Sequence, residues 1–313
     1  LSDLPLGERP KGRTALRGRW VLGYRDGRHC LIPNGVVVIE GSTVLHVGPG
    51  FAGEVARDID MGDALISPGF IDLDALSDLD TTLLAIDHQP GWAQGRVWPQ
   101  SYVERGPYEM YGKDELAFQK RFAFAQLLLN GITTAAPIAS LFYREWGETV
   151  AEFAAAADAA GEMGLRTYLS PAYRSGGMVC EAPGQLVAHF DEERGLKGLA
   201  DAVAFIGDQD GRHEGLIRGM LAPDRVETCT ETLLRRTMAA ADDLGCKVRL
   251  HMAQGEMEVA TVQRLHGTTA PDWLAGLGLL SDRILAPHAT NATERDLDHY
   301  AAHGVAVIHC PLV

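Results

Sequence analysis

Two segments of this chain end a short strand on a histidine, one repeat apart. Lys247-Val-Arg-Leu-His-Met-Ala-Gln254 follows a helical stretch closing in Asp243-Leu-Gly245, alternates as a strand does, delivers His251 and breaks at Gly255. Arg283-Ile-Leu-Ala-Pro-His288 repeats the pattern 37 residues later, before the polar run Ala-Thr-Asn-Ala-Thr. In a parallel α/β barrel the carboxyl ends of successive strands converge on the face that holds the active site. Two histidines delivered there by adjacent strands can share one metal ion. A single strand-end histidine is more often a hydrogen-bonded core residue. Recurrence at one βα period is what raises the metal reading beside it.

The rest of the chain supplies the repeats such a barrel needs. Residues 1–16, with Pro5, Gly7, Pro10 and Gly12, read as an irregular arm. Trp20–Tyr24, Cys30–Ile32, Val36–Ile39 and Val44–Val47 read as short strands, with tight turns at Asp26-Gly27, Asn34-Gly35 and Gly41-Ser42. They form a small all-β module over residues 1–66, in which His29 and His46 are ordinary strand or turn residues. From there strands alternate with helices. Strands are expected to begin near Leu65, Ile132, Leu165, Leu216, Lys247, Arg283 and Val305. Helices are expected over Glu115–Asn130, with Asn130-Gly131 as its stop, and over Glu148–Ala160, ending at Gly161. A further helical stretch lies around Gly184–Ala204. Thr228-Cys-Thr-Glu231 reads as a capping box opening a helix to Gly245, and Thr293–His303 is the last helix. Seven such units in order favour a closed barrel over an open doubly wound sheet. No G-x-G-x-x-G or P-loop follows any strand, which removes the usual nucleotide readings.

Composition narrows the function classes. With 46% hydrophobic and 22% charged residues in 313, the chain has ample material for a globular core. A net charge of -14 argues against nucleic acid, whose phosphates demand a basic face, and against an anionic membrane surface. The five cysteines are odd in number and lack CxxC spacing, which fits reduced thiols in a cytoplasm. No apolar run reaches the roughly 18 residues needed to span a bilayer, and the first residues are too polar for a signal peptide.

Four ordered signals carry a family resemblance. The β module is followed by Ser67-Pro-Gly-Phe-Ile-Asp72, then His251-Met-Ala-Gln254, then His288 with Thr293-Glu294, then His309-Cys-Pro311. From about residue 18 onward the chain resembles the amidohydrolase superfamily, in the branch of cytosine, guanine and S-adenosylhomocysteine deaminases and triazine hydrolases. The resemblance implies a TIM-like (β/α)8 barrel over residues 67–313, strands one to seven, with residues 1–66 as the amino-terminal part of a composite β-sandwich. The family's eighth strand, with its metal-binding aspartate, is not within these 313 residues. The resemblance further implies a hydrolase that breaks a non-peptide C–N bond of a small cyclic, urea- or amidine-like molecule with metal-activated water. One divalent ion, zinc or iron, is the expected cofactor.

The departures from the family pattern define the candidate site. His251 and His288 match the strand-five and strand-six metal ligands. Where relatives carry His-x-His after strand one, this chain has Asp74-Ala-Leu76. Leu76 cannot bind a metal, whereas Asp74 offers a carboxylate. The family's strand-five glutamate, a proton shuttle, is Gln254, whose amide orients a substrate but cannot exchange protons near neutral pH. Gln254 is therefore the candidate catalytic residue, and Trp92 and His309 are the candidate substrate contacts, with Trp98 and Tyr102 as further aromatic lining or as rim packing. Asp72, Asp78, Asp80, Glu256 and Glu258 are carboxylates near the strand ends. Asp72 reads as structural, and the two glutamates equally suit a helix N-terminus. A catalytically degenerate barrel that binds a small molecule or partner is the competing reading. The expected partner is a small-molecule substrate, without nucleic acid or membrane, and a homo-oligomer is expected.

Overall fold

The computed structural model describes residues 11–76, 112–138, 148–182 and 185–310. Two compact units divide the chain, Leu1–Phe70 and Ile71–Val313.

In the first unit β1 (Arg13–Arg25), β2 (Arg28–Glu40), β3 (Thr43–Gly48), β4 (Arg57–Asp60) and β5 (Leu65–Ile66) form one sheet. Its order is β3-β2-β1-β4, with β5 also on β1. Asp26 and Gly27, at φ 53° and 76°, make the tight reversal between β1 and β2, as Asp-Gly predicts for a hairpin. Asn34-Gly35 is no turn. Gly18–Gly35 and Trp20–Pro33 pair in the same register, so β2 runs straight through it. Asn34 takes φ 48° inside the strand, a conformation asparagine tolerates. A Cβ on Gly35 would come within 2.7 Å of Val21, which explains a glycine there. Residues 13–16 are the start of β1 rather than an arm, because Thr14 and Ala15 are buried. Leu65 and Ile66 likewise pair with Trp20 and Val21, so they belong to this sheet and do not open the parallel set.

The second unit is α/β. The strands β6 (Phe70–Leu76), β7 (Ile132–Ile138), β8 (Arg166–Leu169) and β11 (Ile217–Gly219) lie side by side in chain order. So do β12 (Val248–Arg249), β13 (Ile284–Pro287) and β14 (Ala306–Ile308). A parallel bridge between Leu221 and Val248 joins the two sets, with Arg249 N–H donating to Leu221 O at 2.9 Å. Seven strands therefore neighbour one another in sequence order. The hairpin β9 (Gly176–Ala182) and β10 (Gln185–Phe190) stands apart as its own sheet.

Among the described residues the helices of seven residues or more are α1 (Lys113–Leu129), α2 (Val150–Met163), α3 (Glu192–Gln209), α4 (Glu231–Leu244), α5 (Glu256–His266), α6 (Ala270–Gly276) and α7 (Glu294–His303). Their ends follow local chemistry. Thr149, Asp191, Thr230 and Thr293 each accept a backbone N–H of the first turn, and Gly164, Gly245, Gly267 and Gly304 stop their helices in the left-handed region. Three expectations shift here. α2 passes through Gly161 and stops at Gly164, the residue that takes φ 78°. The stretch expected as helix from Gly184 is first β10, whose pairing with β9 holds it extended, and Asp191 then starts α3. The cap of α4 is Thr230, because Thr228 lies in a 3-10 turn over Val226–Thr228.

α4 shows how the layers lock: Leu233, Leu234, Thr237 and Ala241 recur on one helical face and are its buried residues. Leu233, Leu234 and Ala241 join a continuous core with Phe124, Phe153, Leu165, Leu169, Phe205, Ile217, Leu221, Val248 and Ile284. Within it Phe153 and Phe205 meet edge to face at 6.3 Å. Between α1 and α2 a Lys120–Glu152 ion pair closes at 2.8 Å with both side chains 1% exposed. No described helix is long and apolar enough to cross a membrane.

Candidate metal centre

The ends of four strands bring their side chains together. Asp74 lies near the end of β6. His251 follows β12 and is held in strand-like pairing: Val226 N–H donates to His251 O at 3.0 Å. His288 follows β13, with its N–H donating to Ile308 O at 2.9 Å. Cys310 follows β14. One Asp74 oxygen, Oδ1, lies 3.2 Å from His251 Nε2, and the other, Oδ2, lies 3.8 Å from His288 Nε2. The two imidazole centroids are 5.4 Å apart. Cys310 Sγ approaches Asp74 Oδ2 at 3.8 Å. Among the described residues, ligand atoms of Asp74, His288 and Cys310 all lie within 4.8 Å of one another, and His251 joins them across the second oxygen of Asp74.

His251 Nδ1 is 3.0 Å from the Asp224 carbonyl oxygen. A carbonyl can only accept, so Nδ1 carries the proton, and the lone pair of a neutral ring sits on Nε2, facing Asp74. A lone pair and a carboxylate at 3.2 Å repel unless a cation, a proton or a metal ion, lies between them. A backbone carbonyl on the far nitrogen is the usual support of a metal-binding histidine. Two ligands on one tetrahedral zinc, with bonds of about 2.0–2.3 Å, stand roughly 3.3–3.8 Å apart, close to the 3.2, 3.8 and 3.8 Å from Asp74 to His251, His288 and Cys310. Asp74 Oδ1 and His288 Nδ1 are buried without a hydrogen-bond partner among the described residues. Nitrogen, oxygen and sulfur donors in this arrangement fit a divalent ion of the zinc type.

An amidohydrolase family profile matches residues 92–312, more than half of the chain. The chain belongs to the amidohydrolase family. Among curated relatives it is 25% identical over 285 residues to the 5-methylthioadenosine/S-adenosylhomocysteine deaminase of Desulfitobacterium hafniense (strain Y51), covering 89% of this chain and 58% of that protein. The chain thus spans a little over half the length of that relative. Among solved structures, a triazine hydrolase from Arthrobacter aurescens superposes with a TM-score of 0.73 at 20% identity, over 96% of this chain and 66% of that one. An adenosine deaminase from Xanthomonas campestris with bound zinc gives 0.68 at 20% identity, over 95% and 62%. These structural likenesses bear on the fold.

Around Asp74 and His288 the titration of the side chains is shifted. Burial works to raise the Asp74 carboxyl, but His251, Arg249 and His288 outweigh it and hold it below the usual range. Burial, reinforced by His251 and opposed by Asp74, lowers His288. His288 and the neighbouring Ala289 and Ala253 take φ 72°, 52° and 53°. Non-glycine residues in this region cost on the order of 1–3 kcal/mol and gather at functional sites. Arg249, two residues before His251, is buried and donates from Nη1 to Ala136 O at 2.6 Å.

Charged residues cluster beside the segment that follows β12. Asp224 is held through its carboxylate by Arg174 at 3.5 Å, and its N–H donates to Tyr173 O at 2.9 Å. Arg225 pairs with buried Glu227 at 3.1 Å. Glu258 Oε2 accepts Gln254 N–H at 2.6 Å. Burial and the nearby Glu227 push Glu258 up to about 7.

The remaining candidates divide plainly. The Gln254 backbone is pinned, since Asn291 Nδ2 donates to Gln254 O at 2.9 Å and Asn291 N–H to Ala253 O at 2.8 Å. Asp72 accepts the Asp74 N–H at 3.1 Å, in keeping with a structural part. Glu256 is exposed at the start of α5, and His309 is exposed beside Cys310. Trp92, Trp98, Tyr102, Asp78, Asp80 and Pro311 lie outside the described residues. Cys310, Arg249 and Asp224 were absent from the sequence candidates. Period-two alternation was the available signal for two of them: Arg249 shares a strand face with His251, and Cys310 shares one with Ile308.

Proposed function

We propose that this protein is a metal-dependent hydrolase that releases an exocyclic amine from a small nitrogen heterocycle. The observation that carries this is His251, with its proton fixed on Nδ1 by Asp224 and its free nitrogen turned toward the carboxylate that also faces His288. In this reading His251, His288 and Asp74 hold one divalent ion, which when bound lowers the pKa of a water and makes it a nucleophile at neutral pH. Gln254 hydrogen-bonds the heterocycle and fixes its orientation, and Trp92 and His309 contact it. The names of the relatives favour an adenine-like ring as the class of substrate. The seven ordered parallel strands support a (β/α)8 barrel over residues 67–313, with residues 1–66 as part of a sandwich. We place the protein in the cytoplasm as a homo-oligomer. Elemental analysis of protein purified without chelator, with ammonia release from 5′-methylthioadenosine and S-adenosylhomocysteine measured alongside, tests the reading. About one ion per chain together with ammonia release is expected, and metal-free, inactive protein overturns it.

One observation favours a second reading. Gln254 stands where the family's glutamate shuttles protons, and Leu76 where it places a ligand. A barrel that binds such a heterocycle without turning it over would show metal and ligand affinity but no ammonia.

A further inference from the structure

We propose that Cys310 is a ligand of the metal centre, so that the ion is held by sulfur as well as by nitrogen and oxygen. The inference rests on the metal reading above and adds a donor that reading does not use. Its basis is position. Cys310 Sγ sits 3.8 Å from Asp74 Oδ2, and Asp74 Oδ2 is itself 3.8 Å from His288 Nε2. These are separations of atoms that share one ion rather than of atoms bonded to each other.

A second observation points to an ion in the same place. The Asp74 side chain is 10% exposed, and its Oδ1 faces His251 Nε2 at 3.2 Å, a nitrogen that has no proton to give in the neutral ring whose Nδ1 donates to Asp224 O. A buried carboxylate left in this state costs free energy that a cation removes. The thiol's own contacts are weak substitutes for a bond. Its approaches to Asp74 Oδ2 and to Ile308 O, at 3.8 and 3.6 Å, are long. The chemistry also matches the altered strand-one segment. Leu76 donates nothing, and a thiolate at the end of β14 supplies a donor from the opposite end of the strand array. Thiolate donors select zinc and similar borderline ions over magnesium or calcium. On binding, the sulfur–metal bond forms as the thiol proton leaves to solvent.

The test uses cobalt(II) as a visible substitute for zinc in the purified protein, with bound metal quantified by elemental analysis. Wild type is expected to bind cobalt and to show a near-ultraviolet sulfur-to-cobalt charge-transfer band. Cys310→Ser should bind cobalt with that band lost. A wild-type spectrum with bound cobalt and no such band overturns the Cys310 assignment while leaving the metal reading standing. The same holds for a band that survives Cys310→Ser. Failure to bind cobalt or zinc at all overturns both. Should the variant not fold, alkylation of wild type decides: zinc is expected to protect Cys310 from iodoacetamide in peptide mapping. Equal labelling with and without zinc overturns the proposal.

Discussion

Asp224 O and His251 Nδ1 are 3.0 Å apart, and this one contact decides which face of the histidine is available for chemistry. It comes from the backbone of the segment after β11, which Arg174 and Tyr173 hold in place, so no side-chain substitution at Asp224 removes the acceptor itself. Nε2 is left as the reactive nitrogen, facing Asp74.

Asp74 stands against both histidines, 3.2 Å from His251 and 3.8 Å from His288. Asp74→Ala is expected to abolish metal binding and activity together, with the fold kept as judged by circular dichroism. Unchanged metal stoichiometry by elemental analysis would make Asp74 a bystander.

Gln254 cannot relay a proton. Gln254→Glu is expected to leave metal content intact and to raise turnover of an adenine-like amine, by up to the roughly 10²–10⁴-fold that a positioned acid–base group contributes. A fall in turnover at constant metal content would show that the amide itself holds the substrate.

Glu258 titrates at about 7 in the folded chain against an ordinary 4.5. The native state therefore binds a proton that the unfolded state has lost across this window. Its contribution to stability is complete below pH 4.5 and disappears as pH rises through 7, a change of up to about 3 kcal/mol. Glu258→Gln keeps an acceptor for the Gln254 N–H and removes the titration. The variant is expected to melt higher than wild type at pH 8, with the gain shrinking toward pH 5. Parallel melting curves across that range would refute the assignment.

Lys120 and Glu152 are both buried. Lys120→Met removes the Lys120 half of the buried ion pair and is expected to cost roughly 3–5 kcal/mol in urea unfolding. Adding Glu152→Leu should recover most of that loss. A single-variant loss below about 1 kcal/mol would mean that water reaches the pair.

Strand ends and helix stops were legible in the sequence because single residues set them. Six of the seven expected strand starts fall within two residues of β7, β8, β11, β12, β13 and β14. Glycine after Leu244 or His303 ends a helix by its own conformational freedom. The seventh start, Leu65, failed because two-residue pairing is chosen by the partner strand, and β1 offered an edge that local pattern does not display. Asn34-Gly35 failed for a related reason: the turn signal is local, and the long register of β1 with β2 overrode it. In the site, the histidines stood out by their spacing. Arg249 and Cys310 did not, since their meaning depends on which groups face them across the strand array.

The donors Asp74 and Cys310 are separated by 236 positions in the chain. At translation rates of about 5–20 residues per second, that interval lasts roughly 10–50 s. For most of it Asp74 exists without His251, His288 or Cys310. The ion therefore cannot template the early strands during synthesis. It can bind only once β12 and β13 have joined β6, so cellular metal supply should govern how much of the protein is charged rather than how much of it is made.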